Sequence, residues 1–164
     1  MCYFVFVGVR ARQRSAFVRR LSDAGCQVMS TANASVQAAF PEGDAVSVVV
    51  HNGCSCDLYA ERRAAFDEDA QRAKYRKKKW SPAKIERAIV GKRPRERPSF
   101  AAFRDAFAAV VRDAGGARIL AHSFSGNVET EAVEVTGTAS LSLDEYLDAG
   151  GAYVADVVHH VRAG

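Results

Sequence analysis

No apolar run in this 164-residue chain approaches the roughly 20 residues that a helix needs to cross a bilayer. The apolar start, Cys2 to Val9, has no basic region before it and is followed at once by Arg10, Arg12 and Arg14. It therefore reads neither as a signal peptide nor as a membrane anchor, and a cytoplasmic location without membrane contact is the expectation. Cysteine is sparse as well, at positions 2, 26, 54 and 56 only. In a cytosolic chain of this size that argues against a disulfide scaffold and for reduced thiols, with Cys2 and Cys26, beside apolar strand-like runs, expected as small core residues. Internal repeats, low-complexity tracts and recognised nucleic-acid-binding motifs are all missing. A composition 48% hydrophobic and 26% charged excludes global disorder and suits one domain with a substantial core.

Acidic residues are nearly missing from one segment. Between positions 72 and 97 stand Arg72, Lys74, Arg76, Lys77, Lys78, Lys79, Lys84, Arg87, Lys92, Arg93, Arg95 and Arg97, against only Glu86 and Glu96. That segment carries +10 of a whole-chain charge of +4, so the remainder is −6. Tyr75 and Trp80 are interleaved among the cations. Lysine and arginine neutralise phosphates with counterion release, and an aromatic face can stack an unpaired base. The segment is thus a candidate surface for nucleic acid, without base specificity, formed by Lys74, Tyr75, Arg76, Lys77, Lys78, Lys79, Trp80, Lys84, Arg87, Lys92, Arg93 and Arg95. The same charge could dock an acidic protein surface, or simply be the solvated face of a thin amphipathic helix with both rings packed inward.

Along the chain, Cys2 to Val9 reads as a strand covered on both faces and ended by Gly8. Arg10 to Ala24 follows as a helix with Phe17, Val18, Leu21 and Ala24 on one side. Cys26 to Met29, a short helix over Ala34 to Phe40, a turn at Pro41 to Asp44 and a strand from Ala45 to Val50 come next. This alternation predicts α/β architecture: one mixed, mostly parallel sheet of about five strands with flanking helices. A basic helical insertion over residues 60–98 is expected to interrupt it. Within the insertion, Leu58 to Lys79 is helical in propensity, Ser81-Pro82 starts a second helix, and Lys92 to Pro98 is a connector. Ser99 is then expected to cap a helix whose Phe100, Phe103, Phe107, Val110 and Val111 are core. Ala117 to Phe124 and Glu129 to Thr136 read as strands, Ser142 with Glu145 as a capping box, and Tyr153 to Val161 as helix or strand.

The strand from Ala45 to Val50 runs straight into His51-Asn52-Gly53-Cys54-Ser55-Cys56-Asp57, and sites form outside the carboxyl ends of strands in open α/β sheets. If this were an enzyme, Cys54 or Cys56 would be the nucleophile, His51 the base, and Arg62 or Arg63 an anion clamp. Cys56 and Arg62 share the spacing of the cysteine phosphatases, but the intervening residues lack glycine and include two acids, so the spacing carries no weight. His51, Cys54, Cys56 and Asp57 offer an incomplete zinc set with no second cysteine pair, and neither metal nor cofactor is expected. The simplest alternative is a tight turn of small residues with Asp57 as a helix cap. His122 is expected to be a core or edge histidine with one hydrogen bond, and His159-His160 a surface pair.

Overall fold

The computed structural model describes residues 2–60, 67–92 and 98–164. The chain divides into two compact units: Met1–Arg62 with Arg97–Gly164, and Arg63–Glu96.

The larger unit contains β1 (Cys2–Arg10), a 3-10 turn, α1 (Arg14–Asp23), β2 (Gln27–Ser30), α2 (Ala34–Ala38) and β3 (Asp44–Val50). After the smaller unit, which holds α3 (Glu68–Lys77) and α4 (Pro82–Lys92), it continues with α5 (Pro98–Ala114), β4 (Gly116–Phe124), β5 (Gly137–Ser142), α6 (Leu143–Asp148) and β6 (Val157–Arg162). The strands form one six-stranded sheet in the order β2-β3-β1-β4-β6-β5. Every neighbouring pair is antiparallel except β5 with β6. The α/β class stands, but the expectation of about five mostly parallel strands is corrected. β1 and β2 do run the same way, as a strand–helix–strand unit requires. However, β3 lies between them, antiparallel to both, because the short α2 and the Pro41–Gly43 turn bring the chain back at once.

Side chains alternate across the pleat into two cores. Val5, Val7, Val9 and Val49 pack with Phe17 and Leu21 of α1, Phe103, Phe107 and Val111 of α5, and Tyr146 of α6. Phe6, Val48, Val50, Leu120 and Phe124 pack on the other face with Val36, Phe40 and Val133. Both faces of β1 are therefore apolar, which explains a run without alternation. Gly8 lies inside β1 rather than ending it. A Cβ there would sit 2.4 Å from the Phe40 ring, so only glycine lets that ring close over the strand.

Several boundaries differ from expectation. Glu129 to Thr136 is not a strand; the next strand is Gly137–Ser142, which pairs with β6 and not with β4. Asn33 pins the earlier segment by donating to the carbonyls of Val128 and Glu131 at 2.7 and 2.8 Å, and Val133 N donates to Ser35 Oγ, so it lies over α2. Val157–Arg162 resolves as a strand because its β-branched residues pair with both β4 and β5. The helix expected from Leu58 begins at Glu68 among the described residues, with Asp67 as its cap, and Leu58 is fully buried in the main core. Ala65 and Phe66, expected on that helix, lie outside the described residues. Ser99 sits inside α5, whose first residue is Pro98. The Ser142–Glu145 capping box is present as expected.

Phe107 is completely buried between α5 and the sheet. Phe107→Ala should lower unfolding free energy by about 3–5 kcal/mol in urea denaturation. Arg112→Ala, on the exposed side of the same helix, should change it by less than about 0.5 kcal/mol, and equal effects would contradict this packing.

Glu131 clasps the turn after β4, accepting from Ser125 N and, at 2.6 Å, from Gly126 N. The Ser125 amide bond leads the causes that hold its carboxyl pKa below the ordinary value, with the Gly126 amide, the Ser125 hydroxyl and nearby His122 adding to it. A depressed folded pKa means that the stabilisation is present above the unfolded value of about 4.3 and lost as pH falls through the folded value. The stability gap between the natural protein and Glu131→Gln should therefore narrow below about pH 4.3 in urea denaturation. A gap independent of pH would show that the charge is not what holds the turn.

Candidate functional site

Antiparallel pairing of β1 with β3, from Val5↔Val49 onward, sets the start of β1 beside the turn that follows β3. From Val50 the chain makes a tight turn at His51–Cys54, closed by His51 N to Cys54 O at 2.7 Å. Asn52 and Gly53 both adopt positive φ, 53° and 89°, as a two-residue type I′ turn demands. Ser55 then replaces a strand residue beside Tyr3. Its amide donates to Tyr3 O at 2.9 Å, its hydroxyl accepts from Val5 N at 2.9 Å, and that hydroxyl donates to Val49 O. Ser55 is fully buried, and it bonds to both strands at once.

This clasp brings Cys2 to Cys54 and Cys56. The three sulfurs all lie within 4.8 Å of one another. Cys2 is exposed, contrary to the expectation of a core residue, because it begins β1 at the sheet's end; Cys54 and Cys56 are half-buried. Tyr3 N donates to Cys56 Sγ at 3.4 Å. Beyond Cys56, Leu58 anchors the loop in the core, Tyr59 packs between Tyr3 and Tyr153 at 4.5 and 5.3 Å, and Tyr153 N donates to Ala60 O. Cys26 is buried, as expected, and desolvation pushes its thiol pKa up.

His51 does not belong to the sulfur cluster. Its Nδ1 lies 3.7 Å from Asp57 Oδ2 and 3.3 Å from Asn52 Nδ2, and Asp57 answers to that ring rather than capping a helix. Arg62 and Arg63, the expected anion clamp, lie outside the described residues. The turn was legible in Asn52-Gly53, a strong short-range hairpin signal; the arrival of Cys2 was not.

The remaining histidines separate. His122, half-buried on the interior strand β4, bonds to the Asp156 carboxylate and packs edge-on against Phe124. His159 is buried, with its ring against Tyr153 and Nδ1 3.0 Å from Val157 O, which corrects the surface assignment. His160 is half-exposed, and burial, then Arg118 and Arg162, lower its pKa.

The smaller unit is a helical pair around Tyr75, Ile85 and Ile89, with Trp80 and Ala88 packed against them. Tyr75 is buried and stacks on Trp80 at 4.6 Å with planes 4° apart, and Lys84 Nζ lies 4.3 Å from the indole centroid. The rings thus serve the unit's own packing, with Tyr75 buried and Trp80 half-exposed. Arg72 is neutralised by Glu68 and Glu86, each at 2.7 Å. Lys74, Arg76, Lys77, Lys78, Lys79, Lys84 and Arg87 are exposed, and none has a carboxylate partner among the described residues. Lys92 ends α4, while Arg93 and Arg95 lie outside the described residues. Lys74 and Lys77 share one face of α3 at helical spacing, and Lys78 is the residue that caps its end.

Compared with protein-family models, with curated proteins and with solved structures, the chain has no match. No helix among the described residues is long and apolar enough to cross a membrane.

In the reduced native protein, a chromogenic disulfide reagent should label three thiols promptly. Cys26 should react only on unfolding, being buried with a raised pKa. Prompt labelling of all four thiols would show that this core opens more readily than its burial implies.

Proposed function

We propose that this chain binds nucleic acid through its basic helical pair, neutralising phosphates without reading bases, in the cytoplasm. The observation that carries the reading is the run of exposed cations Lys74, Arg76, Lys77, Lys78 and Lys79. These lack carboxylate partners among the described residues, whereas Arg72, clamped by Glu68 and Glu86, ties α3 to α4. Free cations on a folded helix meet a phosphate backbone with little ordering cost, whereas cations already paired would have to break their bonds first. Base stacking plays no part, because the Tyr75 and Trp80 rings are engaged with each other. Nor is sequence specificity expected, since no side chain is presented in a known base-reading arrangement. Reduced cysteines and the lack of a described membrane-spanning helix fit the proposed compartment.

Fluorescence anisotropy with short single-stranded RNA and duplex DNA of mixed sequence tests this. Affinity for the duplex should fall with salt on a log–log slope of about −4 to −6 if five to seven phosphates are contacted. Neutralising Lys74, Lys77 and Lys78 together (each Lys→Gln) should flatten that slope by about 2 to 3 units while leaving the helical circular-dichroism signal intact. No binding of either probe at low salt, where electrostatics are strongest, would overturn the proposal and leave an acidic protein surface as the partner for these cations.

A further inference from the structure

We propose that Cys2, Cys54 and Cys56 form a binding site for one thiophilic divalent cation of the zinc class. Three sulfurs from separate points of the chain converge, all within 4.8 Å of one another. Around a tetrahedral zinc with Zn–S bonds of about 2.3 Å, ligand sulfurs stand about 3.8 Å apart, so side-chain rotation of about an ångström brings all three to bonding distance. The backbone that presents them is already fixed. Cys54 closes the type I′ turn, Cys56 follows the buried Ser55 clasp, and Cys2 leads directly into the paired strand β1.

Two further features suit a metal thiolate rather than three idle thiols. The Tyr3 amide donates to Cys56 Sγ at 3.4 Å, a hydrogen bond that stabilises charge on a ligand sulfur and orients it. The cluster is open to solvent at Cys2, so an ion can enter and its fourth position faces water or an external ligand. Three protein ligands with one open position is the arrangement of zinc sites that bind and activate a small molecule, whereas purely structural sites are closed by four. Soft thiolates select zinc-like ions over magnesium or calcium, which take oxygen ligands. Each thiol gives up its proton on coordination, so the divalent ion and three thiolates form a centre of net charge −1. The site lies wholly in the larger unit and owes nothing to the nucleic-acid proposal.

Cobalt(II) alone, titrated into the reduced, metal-stripped full chain, provides the test. One equivalent should produce the near-ultraviolet sulfur-to-cobalt charge-transfer band and the visible bands of tetrahedral cobalt, and zinc(II) should displace it. Bound zinc should also protect three thiols from the chromogenic disulfide reagent. Cys2→Ser is the decisive variant, since Cys2 is exposed at a strand end and its loss leaves the Cys54–Cys56 pair intact. It should weaken cobalt binding by more than about 100-fold, beyond the loss typical of a second-sphere partner. Cys26→Ala, if folded by circular dichroism, should bind as the natural protein does. Absence of the charge-transfer band would overturn the proposal. Cobalt affinity unchanged in Cys2→Ser would do the same.

Discussion

β1 is hydrogen-bonded along both of its edges, to β3 through Val5↔Val49 to Arg10↔Asp44 and to β4 through Cys2↔Phe124 to Gly8↔Arg118. Its odd residues from Val5 to Val9 enter the core beneath α1, α5 and α6, while Phe6 enters the core beneath α2. Its neighbour β4 is likewise paired on both sides, by β1 and β6, and these two strands are the middle of the sheet. The Ser55 clasp extends the hold of β1 past the end of β3. A fully buried hydroxyl tied to Val5 N and Val49 O leaves the turn before it and the cysteines around it little freedom, because a broken bond would strand a buried polar group.

The smaller unit rests on a different balance. Arg63–Glu96 is shorter than the roughly 40 residues below which a chain rarely sustains a core of its own. Its apolar centre is Tyr75, Ile85 and Ile89, supplemented by the stacked indole and the Arg72 clamp between Glu68 and Glu86. The rings of Tyr75 and Trp80 stack on each other, and most of the exposed described residues of the unit are charged. Acidic residues at the start of α3 and basic ones at its end also complement the helix dipole, which contributes to the distribution independently of any partner.

Much of the local structure could be read in the sequence, wherever it depends on neighbours along the chain. The α5 stripe of Phe100, Phe103 and Phe107, the Ser142–Glu145 box, the Ser81-Pro82 helix start and the burial of Cys26 are of this kind. Failures came where a distant residue decided. Asn33 bonds to carbonyls at 128 and 131 and so withdraws from the sheet a segment that alternates well enough to join it. Val157–Arg162 has valines that suit helix or strand, and only the two flanking strands settle it. Gly8 looks like a strand end until Phe40 is seen lying against it.

The thiol cluster divides the two kinds of information most clearly. The sequence by itself determined that a β-branched run would end in an Asn-Gly turn carrying two cysteines, because turn geometry and strand propensity act over a few residues. It also determined that Cys2 would begin a buried strand. Whether Cys2 met Cys54 and Cys56 depended on strand direction. In a parallel β1–β3 pair the start of β1 and the end of β3 lie at opposite ends of the sheet, and the sulfurs would be separated by the length of a strand. Antiparallel pairing sets those ends side by side. That choice was made by tertiary structure, through the short α2 connection and the Ser55 clasp, because pairing direction depends on how the chain returns and leaves no mark in a run of valines.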